Sequence, residues 1–182
     1  DPAEAAEAMA ELVADQLRIH GSNHPDTLDA RYWLAHWRGE AGDPAEAAEA
    51  MAELVADQLR IHGSNHPDTL DARLGLARWR GEAGDAAEAA EAMAELVTDR
   101  LRIQGPRHSG TLRAQNELAY WMAIRRGKAG DAAGAVEGLA ALLVDRQQQD
   151  GLNHRNTLKT KDQLAYWRSQ ASIEASAHLS TD

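Results

Sequence analysis

The chain contains no cysteine and no phenylalanine. The missing thiols exclude a disulfide framework, cysteine nucleophiles and cysteine-ligated zinc. Proline occurs only five times in 182 residues, and aromatic residues make up 4% of the chain. Apolar packing must therefore come from Leu, Met, Ala and a few tryptophans. No apolar run approaches the roughly 20 residues that a membrane span needs, so no membrane contact is expected and the default localisation is cytoplasmic. Val, Ile and Thr are sparse, and no stretch alternates with period two, which argues against strands. A basic surplus is missing as well. Residues 1–84 hold 16 acidic against 7 basic side chains, residues 85–130 hold 6 against 7, and residues 131–182 hold 7 against 5, for a net −10. A nucleic-acid binder needs a basic face to neutralise phosphates. The first half offers none, and no nucleic-acid partner is expected.

What the chain does contain is good helix formers, Ala, Leu, Glu, Gln and Arg, arranged as repeats. Residues 1–42 and 43–84 are identical except for Tyr32 against Leu74, Trp33 against Gly75 and His36 against Arg78. Thr27, Thr69, Thr111 and Thr157 recur at intervals of 42, 42 and 46. The last interval carries four extra residues near Met122–Arg125, about one helical turn, so it lengthens a helix without turning its faces far.

Each unit reads as two helices. The first runs from about Pro25, a residue suited to a first turn, to Glu40, with Gly39 and Gly42 marking its end. The second starts at Asp43 as N-cap, with Pro44 as first residue and Glu46 closing a capping box. Its apolar stripe is Ala47, Ala48, Met51, Leu54, Val55, Leu59 and Ile61. The organisation expected is a single array over 1–182. It comprises an orphan second-type helix in 1–21, helix pairs in 25–63, 67–105 and 109–150, an orphan first-type helix in 154–176 and a polar tail in 177–182. That makes about eight helices. One such pair cannot bury its apolar face alone, whereas stacked neighbours share a core. The start falls out of register with the repeat, so the chain is expected to be a region of a larger protein.

Candidate chemistry is thin. His20 and His24, like His62 and His66, have a spacing that holds zinc on one helix face. Here Gly21-Ser22-Asn23 interrupts the helix, and the link histidines His24, His66, His108 and His154 lie a repeat apart. They read as polar link residues, and no metal site is expected. The acidic second helices read as solvated faces. Gly127-Lys128 lacks the preceding glycine of a phosphate loop, and no Ser–His–Asp set can be assigned. The expectation is a non-enzyme with no cofactor. Trp37, Trp79, Trp121 and Trp167 recur at packing positions and read as core, and Trp33, replaced by Gly75, reads as exposed.

Leu34-Ala35, Gly42-Asp43 and Ala47 resemble the signature of a tetratricopeptide repeat. They recur as Leu76-Ala77, Gly84-Asp85 and Ala89, and as Leu118-Ala119, Gly130-Asp131 and Ala135. The 42-residue period and the His-Pro-Asp-Thr link are similar to the kinesin-light-chain branch, and to bacterial arrays joined to signalling nucleotide-binding proteins. Arg38 and Arg80 depart from the family, which usually has an aromatic there. The resemblance implies an all-α, right-handed solenoid of stacked antiparallel helix pairs. First helices would line a concave groove that holds a protein or peptide ligand, in a sensor or adaptor role.

Carried onto this sequence, the groove face would hold Asp29, Tyr32, Trp33, His36 and Glu40. Further along it would hold Asp71, Leu74, Arg78 and Glu82, then Arg113, Asn116 and Tyr120, then Lys159, Asp162 and Tyr166. Two of the three unit differences fall on this face and the third lies beside it, with buried positions untouched. This implies a groove whose contacts vary on a copied scaffold. The expected ligand is an extended peptide or partner helix of mixed charge, basic where it meets the acidic first units. The alternative is a homo-oligomer in which the two orphan helices pair end to end between chains.

Overall fold

The computed structural model describes residues 1–179, with side chains to 176. Among these residues the chain forms eight helices and no strand. They are α1 Pro2–His20, α2 Pro25–Glu40, α3 Pro44–His62, α4 Pro67–Glu82, α5 Ala86–Gln104, α6 Ser109–Lys128, α7 Ala132–Gln149 and α8 Arg155–Leu179. The last helix continues three residues into the segment expected as a polar tail, and 180–182 lie outside the described residues. The helices fall into two compact units, Asp1–Thr111 and Leu112–Asp182.

In the first unit α1 packs on α2, α2 on α3, α3 on α4 and α4 on α5, and α2 also touches α4. The core joins Leu28 and Ala35 of α2, Ala47, Met51 and Leu54 of α3, and Ala72 and Trp79 of α4. Three consecutive helices thus share one apolar centre, as stacked repeats do. In the second unit α7 packs on α8, and Trp121, Ala123, Leu139, Leu142, Leu164 and Trp167 are buried.

The links follow from local chemistry. At the end of α2, Gly42 adopts φ 110°, a left-handed conformation that a side chain would oppose. Its N–H donates to the Gly39 carbonyl, and the Asp43 N–H donates to the Arg38 carbonyl. This double bond pattern recurs at Gly84-Asp85 and Gly130-Asp131. It also explains why the expected capping box does not form. The Asp43 N–H that Glu46 would have bonded is already taken, and the Asp43 side chain makes no cap bond. Glu46 pairs instead with Arg38 at 2.8 Å. On the opposite links, the ring Nδ1 of His24, His66 and His154 accepts the N–H two residues on at 3.3 Å, and that of His108 does so at 3.1 Å. These histidines are helix N-caps. His24 also stacks on His20 and His66 on His62, at 4.3 and 4.4 Å between ring centres.

Gly39 does more than the sequence reading allowed. It lies inside α2 and is buried, and a Cβ there would sit 2.5 Å from the Trp79 ring. The residue is a socket for the tryptophan of the next first-type helix. Gly127 has the same relation to Trp167, at 2.6 Å. Trp79, Trp121 and Trp167 are buried as expected, while Trp37 is only half-buried.

The extra turn lengthens α6 to 20 residues against 16 in α2 and α4. Its burial places the insertion earlier than Met122–Arg125. Buried Thr111 and Ala114 keep the 42-residue offset from Thr69 and Ala72. Tyr120, Ala123 and Gly127 keep the 46-residue offset from buried Leu74, Ala77 and Gly81. The turn is absorbed between Ala114 and Tyr120.

Ion pairs close the seam between paired helices. Arg31 meets Asp57 at 2.7 Å and Arg38 meets Glu46 across α2–α3. Arg73 meets Asp99 at 2.7 Å and Arg80 meets Glu88 across α4–α5. The hydrogen bond from Arg31, then that from Arg60, holds the Asp57 carboxyl below its ordinary value, and Arg73 does the same for Asp99.

Gly39→Ala should lower stability by about 1–3 kcal/mol through overpacking against a rigid ring, despite the gain of about 1 kcal/mol in helix propensity. Urea denaturation decides, and a stabilised variant would show that the socket can relax. Because the folded-state pKa values of Asp57 and Asp99 are depressed, their stabilisation is present above about 3.9 and is lost as pH falls through the folded value. Asp57→Asn with Asp99→Asn should therefore flatten the loss of stability on acidification below about pH 4, read by denaturant titration at each pH.

Candidate ligand-binding surface

First-type helices present the residues expected to face a ligand. In α2 four rings form a connected edge-on chain. Tyr32 meets Trp33 at 5.4 Å, Trp33 meets His36 at 5.5 Å, and His36 meets Trp37 at 5.3 Å. His36 also lies 5.8 Å from Trp79 of α4. Trp33 is 42% exposed, while Tyr32 and His36 are half-buried and Asp29 is exposed. At the end of the chain of rings the Glu40 carboxylate receives the Arg78 guanidinium at 3.0 Å, and His36 Nε2 lies 3.9 Å away. Arg78 covers the Trp79 face at 4.9 Å, an arrangement that adds cation–π attraction.

Two of the expected surface residues are not at the surface. Leu74 is 6% exposed and Tyr120 is 3% exposed. Leu74 packs inward on α4, and Tyr120 lies beneath Lys159 and Arg146, whose charged groups sit 5.2 and 5.5 Å from its ring. Asp71 is half-buried and receives Arg100 at 2.6 Å. Glu82 is half-buried. Asn116 donates to Gln149 at 3.0 Å. Lys159 is half-buried, whereas Arg113 and Asp162 are exposed. Tyr166 is 52% exposed and meets Trp167 edge-on at 4.9 Å.

The three differences between units 1–42 and 43–84 take on a second meaning here. They are not confined to exposed sites, because positions 74 and 75 are both buried. A Cβ on Gly75 would lie 3.1 Å from the Met51 sulfur and 3.4 Å from the Tyr32 ring. Tyr32 of one unit thus occupies space that Gly75 of the next leaves open, where Trp33 stands in the first. Arg78, which replaces His36, reaches back to Glu40 of the preceding first-type helix. All three differences lie at the contact between α2 and α4.

Sequence reading missed the buried arginines. Arg100 is 1% exposed and Arg146 2% exposed, at places where the earlier units carry Gln16 and Gln58. Arg146 is held by Glu117 at 2.9 Å, the Thr160 hydroxyl at 2.7 Å and the Asn156 carbonyl at 3.1 Å. Arg100 is held by Asp71 and by Gln104 at 3.1 Å. Its guanidinium also occupies the space where a side chain at Gly110 would go. One signal was available: the change from Gln58 to Arg100 coincides with the change from Asp68 to Gly110. Among the described residues no cluster of three or more His, Asp or Glu could hold a metal ion. No helix among them is long and apolar enough to cross a membrane.

No protein-family model matches the chain, and no curated protein matches it in sequence. Solved structures do. A protein of Podosopora anserina described as a kinesin light chain with nearly identical TPR-like repeats aligns at 26% identity and a TM-score of 0.63. The match covers 97% of this chain and 82% of that one, and a single-substitution variant of it matches equally. BtubC (BKLC) from P. vanneervenii matches at 14% identity and a TM-score of 0.61, over 94% of this chain and 67% of that one. At that identity the second likeness speaks for the fold alone. The chain is a tetratricopeptide-type helical-repeat protein. Within that class its repeats are similar to those of the kinesin-light-chain kind, and the likeness supports a helical-repeat scaffold for protein interaction.

Substituting Gly75→Trp, which copies the first unit into the second, should cost about 1–3 kcal/mol by overpacking. Combining it with Tyr32→Leu should restore part of that loss. A double-mutant cycle in urea measures the coupling, and strict additivity would show that the two positions do not share the contact.

Proposed function

We propose that the chain is a non-catalytic scaffold that binds an extended peptide or partner helix through the exposed faces of its first-type helices. The observation that carries this reading is a pair of aromatic side chains left open to solvent yet held in place. Trp33 is braced by Tyr32 and His36, and Tyr166 by Trp167. Exposed aromatics that lose little freedom on contact make good anchors. Asp29 and Asp162 each precede one of these rings by four residues, one helical turn, so an anionic group and an aromatic face share each surface. That combination suits a ligand with a cationic group next to an apolar one, in keeping with the acidic balance of residues 1–84. A sensor or adaptor role in a longer cytoplasmic protein fits such a module.

The buried Tyr120 is a poor probe of this surface, because removing it would disturb packing. Trp33→Ala with Tyr166→Ala should weaken capture of a peptide selected against the chain at least tenfold, with helicity by circular dichroism unchanged. Unchanged binding, or loss of binding and helicity in parallel, would sink the reading.

A second reading, association between chains through α1, rests on Leu12. It is 40% exposed, whereas Leu54 and Leu96 at the equivalent places are 1% exposed. Light scattering on the same samples separates the two: mass that grows with concentration and is cut back by Leu12→Glu would favour association.

A further inference from the structure

The second unit contains a cleft between α6 and α7 of about 520 Å³. Leu112 and Met122 on its wall are 40% and 44% exposed, whereas Leu28 and Leu70, which precede Leu112 by whole repeats, are buried to 1% or less. Gly138 lines the cleft and packs on α6, where a Cβ would lie 3.1 Å from that of Ala123.

At this cleft both seam ion pairs of the first unit are missing. At the place of Arg31 and Arg73 stands Gln115, and one turn later, allowing for the inserted residues, stands Ala119. Both line the cleft, and neither is cationic. At the place of Glu46 and Glu88 stands Gly134. Arg126, the counterpart of Arg38 and Arg80, also lines the cleft, where its guanidinium lies over Gly134 and pairs with Asp131 at 2.8 Å. Yet the acidic half of the first bridge is retained. Asp145 stands where Asp57 and Asp99 stand, lines the cleft and is exposed. It has no ion-pair or hydrogen-bond partner among the described residues.

We propose that this cleft is a docking site for a segment of a partner protein that delivers an arginine to Asp145 and an apolar side chain to the wall of Leu112, Met122 and Gly138. Charge complementarity, read from the protein's own repeats, favours this occupant. Twice in this chain an aspartate at this place takes a guanidinium at 2.7 Å, and the third aspartate keeps the position in the repeat, on the wall of the cleft, without the guanidinium. Apolar walls shield such a pair from water better than an open surface does, which strengthens it. The site shares no residue with the exposed aromatic faces of α2 and α8.

The test uses the full chain, labelled for NMR at backbone amides and methionine methyls. The probe is an acetylated and amidated alanine-based helical peptide with one leucine and one arginine four residues apart. Its counterpart carries citrulline, a neutral isostere, in place of the arginine. The expected result is a saturable shift of Gly134, Gly138 and Asp145 amides and the Met122 methyl with the arginine peptide. Binding of the citrulline peptide should be at least tenfold weaker. Asp145→Asn should reduce the arginine peptide to the citrulline level, and Gln115→Arg, which supplies the guanidinium from within, should abolish binding. Trp33→Ala with Tyr166→Ala should leave it unchanged, so this proposal and the aromatic-face reading can fail separately. Equal binding of the two peptides, shifts away from the cleft, no saturable shift, or binding that survives Gln115→Arg in a variant with unaltered helicity would each overturn it.

Discussion

The approach of one first-type helix to the next depends on a tryptophan seated over a glycine. Trp79 lies on the bare backbone of Gly39, and Trp167 on that of Gly127, close enough that even a methyl group would collide. The contact sets how closely α2 and α4 can lie, and with it the space left for the rest of the core. Met51 and Leu54 of α3 are fully buried only because α4 comes in at that distance. A glycine inside a helix is costly in propensity, about 1 kcal/mol relative to alanine. Burial of an indole returns more than that, since truncating a buried tryptophan typically costs about 3–5 kcal/mol.

Around this fixed approach, each side chain that varies meets a neighbour that suits it. Tyr32 goes with Gly75, and Glu40 with Arg78. Arg100 goes with Gly110 below and Asp71 beside it. Arg146 finds Glu117, Thr160 and the Asn156 carbonyl. A buried guanidinium is expensive unless its donors are met, which explains why a change to arginine comes with carboxylate and carbonyl acceptors, or with the removal of a side chain in its path.

Helix boundaries were legible because they are written in local chemistry. Pro25, Pro44, Gly42 and the link histidines act within a few residues of themselves, and α2 and α3 begin and end where these residues put them. What could not be read depends on partners distant in sequence. Gly39 looked like a helix end beside Gly42, and only Trp79, forty residues on, shows it to be a socket. Arg100 and Arg146 sit in polar stretches and look like surface, and their burial follows from helices that precede or follow them. The expected surface residues divided the same way. Asp29, Trp33, Asp162 and Tyr166 are exposed, whereas Leu74 and Tyr120 are covered by neighbours that periodicity cannot place. The inserted turn was misplaced for a different reason. Ala114, Ala119 and Ala123 are the same letter, so several registers of α6 look alike until burial separates them.

Copying a sequence does not copy its surroundings. Leu12 and Leu54 occupy the same place in the same sequence, yet one is 40% exposed and the other 1%, because α3 has a first-type helix on each side and α1 has one only after it. The same holds for α2 and α4. Tyr32 projects forward onto α4, so the residue it meets there must be small, whereas Trp33 at the matching place in α2 remains partly open to solvent. Two identical units in succession would force a tryptophan onto Tyr32 and Met51. Near-identity of the repeats is therefore compatible with close packing only if the few permitted differences gather where one unit touches the next, and that is where Tyr32, Gly75 and Arg78 lie.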